Sequence, residues 1–281
     1  MNAPLIHPTA VIDAGAEIDA DVVVGPYTVI EAGVRIESGT TVGPHVHIQG
    51  LTRIGPDNAI STGCTLGFAP QHLAYRGEPR RLRIGRGNTI REYANIHRAF
   101  EVEGETVIGD GCFIMGFSHV AHDCRIGDGA ILANGALLGG HVTIGERAFV
   151  SGNVLVHQHC RIGRLAMVGG GAGIGQDVPP FVTVGGVPSM IRGLNSIGLR
   201  RAGIGAEERM ELRRVFKQIY RGGTGVREAA EEIELAELPE TAREFIEFVK
   251  FRSKRGPLPH ASYRRMGAET EEREERMMDD F

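Results

Sequence analysis

Large aliphatic residues recur along this chain at a fixed interval of six. From Ile6 to Ile174 every position divisible by six is Ile, Val or Leu, with His72 and Glu78 the exceptions. Four residues beyond each comes a small one: Ala10, Ala16, Val22, Thr28, Val34 and Thr40 early on, then Ala130, Ala136, Val142 and Ala148. A period of six fits neither the 3.6 of a helix nor simple strand alternation. It suits short strands joined by tight corners, three to a coil of about eighteen residues, a β-solenoid. Large and small positions then alternate inward and fill a narrow prism. Glycine often follows the large aliphatic, as at Gly25, Gly43, Gly55, Gly109, Gly127, Gly145 and Gly163, where close packing and unusual backbone angles favour it.

Two stretches interrupt the period, residues 67–83 and 98–106, and loops leaving a rigid scaffold are where binding groups are presented. After Gln176-Asp177-Val178-Pro179-Pro180 the repeat stops, and from about Asn195 the apolar spacing becomes helical. Leu212, Val215, Phe216 and Ile219 form one stripe, Val226, Ala230 and Ile233 a second, and Phe245, Phe248, Val249 and Arg252 a third edge. The expected organisation is a solenoid over 1–191, a small helical domain capping one open end over 192–256, and an acidic tail over 257–281 that is a short helix or disordered.

Composition narrows the function. Forty glycines, no tryptophan and 6% aromatics are unlike an ordinary α/β enzyme core. The net charge of −4 comes from residues 269–281, where seven acids face two arginines, so the body is nearly neutral and a strongly basic nucleic-acid binder is excluded. No apolar run reaches membrane-span length, and Met1–Thr9 lacks the features of a signal peptide, so a soluble cytoplasmic protein without an integral membrane segment is expected. Cys64, Cys112, Cys124 and Cys160 all fall on the small inward position and read as core residues with no disulfide framework.

The histidines carry the chemistry. Six lie between Ile96 and Ile162: His97, His119, His122, His141, His157 and His159. Steps of eighteen residues put His122, Gly140 and Gln158 in one ladder on a corner of the prism, flanked by His141 and His157, with His119 three residues before His122. In His122-Asp123 an imidazole has a carboxylate beside it, the pairing of a general base. A glycine one coil away can offer its N–H to a developing oxyanion. This is an acyl-transfer arrangement that needs no nucleophilic side chain. A zinc site formed by His119, His122 and His141 is the sharper rival, and the gamma-class carbonic anhydrases resemble this chain in having imidazoles at one corner of such a solenoid. A catalytically inert scaffold is a third reading.

The hexapeptide period resembles that of left-handed parallel β-helices; parallel crossovers in general are right-handed, so the handedness rests on this resemblance. More specifically, His119-Val120-Ala121-His122-Asp123-Cys124, Gly139-Gly140-His141-Val142, Val156-His157-Gln158 and Gln176-Asp177-Val178-Pro179-Pro180 resemble the UDP-N-acetylglucosamine O-acyltransferase family, which starts lipid A synthesis. The likeness runs from His7-Pro8-Thr9-Ala10 to about residue 253 and includes Gly77-Glu78-Pro79 and Ile96-His97-Arg98.

The resemblance implies a homotrimer with sites between subunits, moving a 3-hydroxyacyl group from acyl carrier protein to the glucosamine 3-hydroxyl. No cofactor or metal is implied, the carrier thioester being the donor. By the same resemblance His122 is the general base, Asp123 its orienting partner and Gly140 the oxyanion donor. His97, His119, His141, His157 and Gln158 bind substrate, while Gln71, Asn195 and Arg201 contact the nucleotide sugar. Gly170, with Met167 near it, ends the acyl groove, and a glycine there implies a longer chain. Four positions depart from the family: His72 stands where an acid touches the sugar, Ala74 where a lysine is usual, Ile197 for a glutamate and Ala202 for an arginine. All four fall in the nucleotide-sugar half, so a 3-amino analogue or another nucleotide sugar stays open as acceptor. Acetyl-coenzyme A transferases of the same fold are a nearer alternative. Two basic stretches, Arg76 to Arg98 and Arg192 to Lys217, suit an acidic carrier protein.

Overall fold

The computed structural model describes residues 5–221 and 225–261. Residues 5 to 194 wind into a triangular prism of three parallel sheets, built mostly from two-residue strands such as Val11–Ile12 and Arg125–Ile126. Register follows the period. Ile126 pairs with Ile144 and Ile144 with Ile162, each eighteen residues on. The interruptions change the step without breaking the ladder: Arg81 stands on Leu51 and on Glu105, offsets of thirty and twenty-four.

The inward positions form the core. Ile36, Ile48, Ile90, Ile96, Leu132, Ala130, Ala136 and Ala148 are all fully buried. So are Cys64, Cys112, Cys124 and Cys160, which are free thiols that burial pushes up to about 11 or 12. These cysteines are core residues.

Each corner has a fixed grammar. Where the residue after the large aliphatic is glycine, the next coil lies against it: a Cβ on Gly25 would sit 2.8 Å from the Gly43 carbonyl carbon, and one on Gly127 2.7 Å from the Glu146 nitrogen. The unusual backbone angles expected of these glycines are two residues further on. There the chain turns left-handed at Tyr27, His45, Asp123, His141 and His159, with φ of 55 to 65°.

The parallel run ends where Val182–Gly185 pairs antiparallel with Met190–Leu194, extending the third sheet. Helices α1 (Ser196–Arg201), α2 (Ala206–Arg221), α3 (Val226–Glu231) and α4 (Glu240–Lys250) follow. The α2 stripe buries Leu212, Val215, Phe216 and Ile219. The α4 stripe differs from expectation. It buries Thr241, Ala242, Phe245, Ile246 and Val249 at helical spacing, which rotates Phe248 toward Arg161 and leaves Arg252 exposed. Arg161 and Arg164 tie this helix to the solenoid, through the Phe248 carbonyl and Glu244 respectively.

Residues 257–261, which the sequence assigns to the tail, return to the solenoid: Pro257 bridges Asp177, and His260 bridges Ile191. The acidic stretch 262–281 lies outside the described residues.

Candidate active site

The predicted ladder forms at the edge between the first sheet, which carries His119–Val120, and the second, which carries Arg125–Ile126. His122 is buried beneath Gly140, and Gly140 is bonded to the next coil through the His159 amide, which donates to its carbonyl at 2.9 Å. The His141 amide donates to the His122 carbonyl at 3.0 Å. A Cβ on Gly140 would lie 2.6 Å from His122 Cε1 and 2.7 Å from Nε2. Glycine is therefore required at 140 if the ring is to lie where it does. Among the described residues no hydrogen bond takes the Gly140 N–H.

His122 Nδ1 donates to Asp123 Oδ2 at 2.7 Å, which leaves Nε2 as the lone-pair nitrogen under Gly140. Asp123 is held in turn. Its carboxylate accepts from the Phe100 amide at 3.0 Å and the Glu101 amide at 3.3 Å, and its own amide donates to Thr106 Oγ1. Burial pushes the pKa of this carboxyl up, but the His122 bond and the two amides outweigh it, so the pKa stays below the usual carboxylate range and the group remains charged. His141 Nε2 lies 3.8 Å from the same oxygen; burial nonetheless lowers its basicity.

A second tier lies beside it. His97 Nδ1 donates to the Ala69 carbonyl at 2.6 Å, and His119 Nδ1 to Asn95 Oδ1 at 3.0 Å. Burial lowers both rings, His119 to about 4, so both are neutral at pH 7 and each presents Nε2 as an acceptor. His97 Nε2 is buried without a partner. Such a pair accepts hydroxyl or amide protons from a ligand.

His72 stacks on Phe100 with centroids 3.8 Å apart and meets the His122 ring edge-on at 5.6 Å. Its Nδ1 accepts from the Ala74 amide, so its Nε2 carries the proton as a donor. Gln71, on the same loop, is exposed, as is Gln158. His157 is half-buried, with Nδ1 3.2 Å from the Gln158 carbonyl.

Four predicted residues lie away from this edge. Asn195 caps α1, accepting from the Gly198 amide and donating to the Leu165 carbonyl, which places it at the edge between the second and third sheets. Arg201 is exposed on the same helix. Met167 faces outward on the third sheet, and Gly170 is exposed at the edge that joins it to the first.

The first arginine stretch is also less available than its sequence suggests. Arg81, Arg83 and Arg91 pair with Glu103, Glu105 and Glu92, and Arg98 binds the Gly67 carbonyl and the Tyr75 hydroxyl. Reasoning from sequence missed Asn95, Phe100, Thr106, Lys254 and Arg255, and gave His159 no role.

Metal binding is the rival reading of these residues. Among the described residues the ligand-capable trio is His122, Asp123 and His141, whose candidate atoms lie within 4.8 Å of one another; His119 is not part of it. His119 is instead turned to Asn95. In the trio Asp123 Oδ2 already accepts from His122 and Phe100, which suits an acid–base pair better than a ligand set.

A prism of hexapeptide coils with a histidine–carboxylate pair under a backbone N–H that no described residue accepts defines a transferase of the left-handed β-helix class. Residues 105–140 match the bacterial transferase hexapeptide family, and residues 177–258 the second domain of UDP-N-acetylglucosamine O-acyltransferase. The chain is 46% identical over 247 residues to the acyl-(acyl-carrier-protein) UDP-N-acetylglucosamine O-acyltransferase of Thermodesulfovibrio yellowstonii, covering 86% of this chain and 96% of that one. It is 51% identical over 227 residues to the Halorhodospira halophila protein of the same name, covering 80% and 88%. The solved Francisella novicida UDP-N-acetylglucosamine acyltransferase superposes with a TM-score of 0.88 at 37% identity, over 91% of this chain and 94% of that one. The chain belongs to the UDP-N-acetylglucosamine O-acyltransferase family.

Proposed function

We propose that this chain transfers a 3-hydroxyacyl group from acyl carrier protein to the 3-hydroxyl of UDP-N-acetylglucosamine, with His122 as general base. The observation that carries the role of His122 is its geometry: Nδ1–H tied to a charged Asp123 and Nε2 directly beneath Gly140. Nε2 takes the proton from the sugar hydroxyl as that oxygen attacks the thioester carbonyl. Negative charge on the tetrahedral carbonyl oxygen is met by the Gly140 N–H, and the imidazolium by Asp123. Collapse breaks the carbon–sulfur bond, the ester forms, and the proton on His122 passes to the leaving thiolate. His97 and His119 receive sugar protons through Nε2, and His72 donates from the loop above.

A homotrimer is supported by the outward faces. The first sheet exposes Val11, Leu137 and Leu155, the third presents Phe113, Ile131, Phe149 and Met167, and the second is charged, with Arg35, Arg53 and Arg125. The edge shared by the first and third sheets carries Tyr27, Tyr93 and Phe117, each more than half exposed. Two different apolar faces on each copy are what a closed ring requires. In such a ring Asn195, Arg201, Gly170 and Met167 come to the His122 edge from a neighbouring subunit. The carrier docks on the second basic stretch, around Arg200, Arg213 and Lys217, and the enzyme works in the cytoplasm; none of its described helices is long and apolar enough to cross a membrane.

The test pairs 3-hydroxyacyl carrier protein with UDP-N-acetylglucosamine and follows the acylated sugar nucleotide by mass. Wild type should turn over, and His122→Ala should lose on the order of 10²–10⁴ in rate. Turnover at the wild-type rate in the variant would remove His122 from the mechanism.

A further inference from the structure

The chain reaches the catalytic edge a second time from its far end. After α4 it turns at Gly256, whose amide donates to Ser253 Oγ and whose carbonyl accepts from the Asp177 amide at 2.8 Å. Pro257 bridges Asp177, itself buried against Arg161. This anchoring lays residues 254 and 255 against the upper end of the histidine ladder. Lys254 Nζ lies 3.4 Å from His159 Nε2, and Arg255 Nε donates to the Gln158 carbonyl at 3.0 Å.

His159 in turn stacks on His141 at 4.5 Å, and His141 meets His122 edge-on at 5.2 Å. Three rings thus connect the proposed base to two cations. Among the described residues neither Lys254 nor Arg255 belongs to an ion pair. His159 is held neutral, down to about 4, first by burial and then by His141, Lys254, Arg255 and His157, all acting in the same sense. Asp123 serves the inner end of this cluster, through His122 and His141, whereas at the outer end Lys254, Arg255 and His159 have no acidic partner among the described residues and are short of an anion.

We infer that Lys254, Arg255 and His159 form a phosphate-recognition site that positions a diphosphate two coils from the base. Gln158 stands two coil steps above His122, about 10 Å. One hexose ring spans much of that distance when its 3-hydroxyl is at His122 Nε2, which brings the anomeric diphosphate of the sugar nucleotide to Lys254. The phosphate of the carrier's pantetheine arm, far longer than a hexose, falls beyond it. This inference rests on the acceptor assigned above. Lys254 acts as a point charge on phosphate oxygens, and His159 becomes able to hold a proton once the dianion is bound.

The test uses the full chain and its exposed Lys254, changed to Met or to Arg. UDP, uridine and inorganic pyrophosphate are titrated by calorimetry, and the His159 ring is followed by NMR. Lys254→Met should weaken UDP and pyrophosphate roughly tenfold and leave uridine unchanged, with Lys254→Arg close to wild type. UDP should raise the pKa of His159 in wild type. In turnover the KM for the sugar nucleotide should rise with kcat nearly constant. A rise in the KM for acyl carrier protein instead would keep the phosphate site and reassign its occupant to the pantetheine phosphate. Equal UDP and pyrophosphate affinity in wild type and Lys254→Met, with no change in either KM, would overturn the inference. Loss of UDP-N-acetylglucosamine turnover in wild type would overturn the acceptor assignment instead.

Discussion

Gly140→Ala is the smallest change that tests the catalytic edge. Gly140 does not have a positive φ, so the backbone itself accepts alanine. What resists is the His122 ring, 2.6 Å from the new Cβ at Cε1 and 2.7 Å at Nε2. Ordinary contact needs about 3.5 Å, so the ring or the coil has to move by close to an ångström. The ring is poorly placed to yield, since Nδ1 is fixed by Asp123 and Asp123 by two amides. Displacing a reacting group by about 1 Å costs on the order of 10² in rate. Shielding a backbone oxyanion donor costs on the order of 10²–10³, about 3–4 kcal/mol. We therefore expect kcat to fall by at least about 10² while the KM for UDP-N-acetylglucosamine changes little. The assay is initial-rate acyl transfer from 3-hydroxyacyl carrier protein, read beside the thermal midpoint of each variant. His122→Ala separates the two effects: with no ring to strike, the added methyl group only shields the N–H, so the cost of Gly140→Ala should shrink in that background. A Gly140→Ala enzyme with wild-type kcat and an unchanged midpoint would refute both the steric argument and the oxyanion role.

Other outcomes follow from the same geometry. His119 is lowered to about 4 in the folded chain and titrates near 6.5 when unfolded, so between those values the unfolded state binds more protons. Its contribution to stability is therefore lost as pH falls from 6.5 toward 4, and His119→Gln should flatten the fall of the thermal midpoint measured across that window. Asp177, 1% exposed, accepts from the Arg161 amide and guanidinium and anchors the returning C-terminal segment. Asp177→Asn leaves that guanidinium without its carboxylate, with only the Phe248 carbonyl remaining as acceptor, and should cost about 3–5 kcal/mol in denaturant unfolding. If the carrier docks on Arg200, Arg213 and Lys217, kcat/KM for acyl carrier protein should fall steeply with added salt, and a flat profile would remove that docking surface.

What could be read from the sequence followed the periodicity. Core positions recur every six residues and corner positions every eighteen, so Ile126, Ile144 and Ile162, and likewise His122, Gly140 and Gln158, stack by arithmetic alone. The arithmetic holds again in the N-terminal coils, as from Val11 to Val29, and fails only where a coil spans the insertions at 67–83 and 98–106, which lengthen the step to thirty or twenty-four. Asn95 is twenty-four residues from His119, and Phe100 and His72 meet only because two loops leave the same edge. Lys254 and Arg255 are beyond any periodic argument: they arrive 95 and 97 residues after the groups they touch. The arginine stretch misled for a related reason. Its acidic partners, Glu103 and Glu105, sit twenty-two residues away in the adjacent coil, where a linear scan sees unbalanced charge.

The chemistry at the His122 edge uses what every corner of this solenoid leaves over. The second residue of a corner contributes no N–H to the ladder, which is why proline is tolerated there at Pro26, Pro44 and Pro56. The same position is held by His122 in one coil and Gly140 in the next. Placing the glycine there leaves that spare donor without a side chain of its own residue beside it, and the ring below occupies the space that a side chain would take. The third residue turns left-handed and directs its side chain along the edge, and at this edge it is Asp123, His141 and His159. Base, carboxylate and backbone donor are thus adjacent because they occupy consecutive corner positions on neighbouring coils. The function therefore depends on coil spacing more than on any mobile loop, and a deletion of one six-residue repeat between Asp123 and Gly140 would break the ladder while preserving every residue in it.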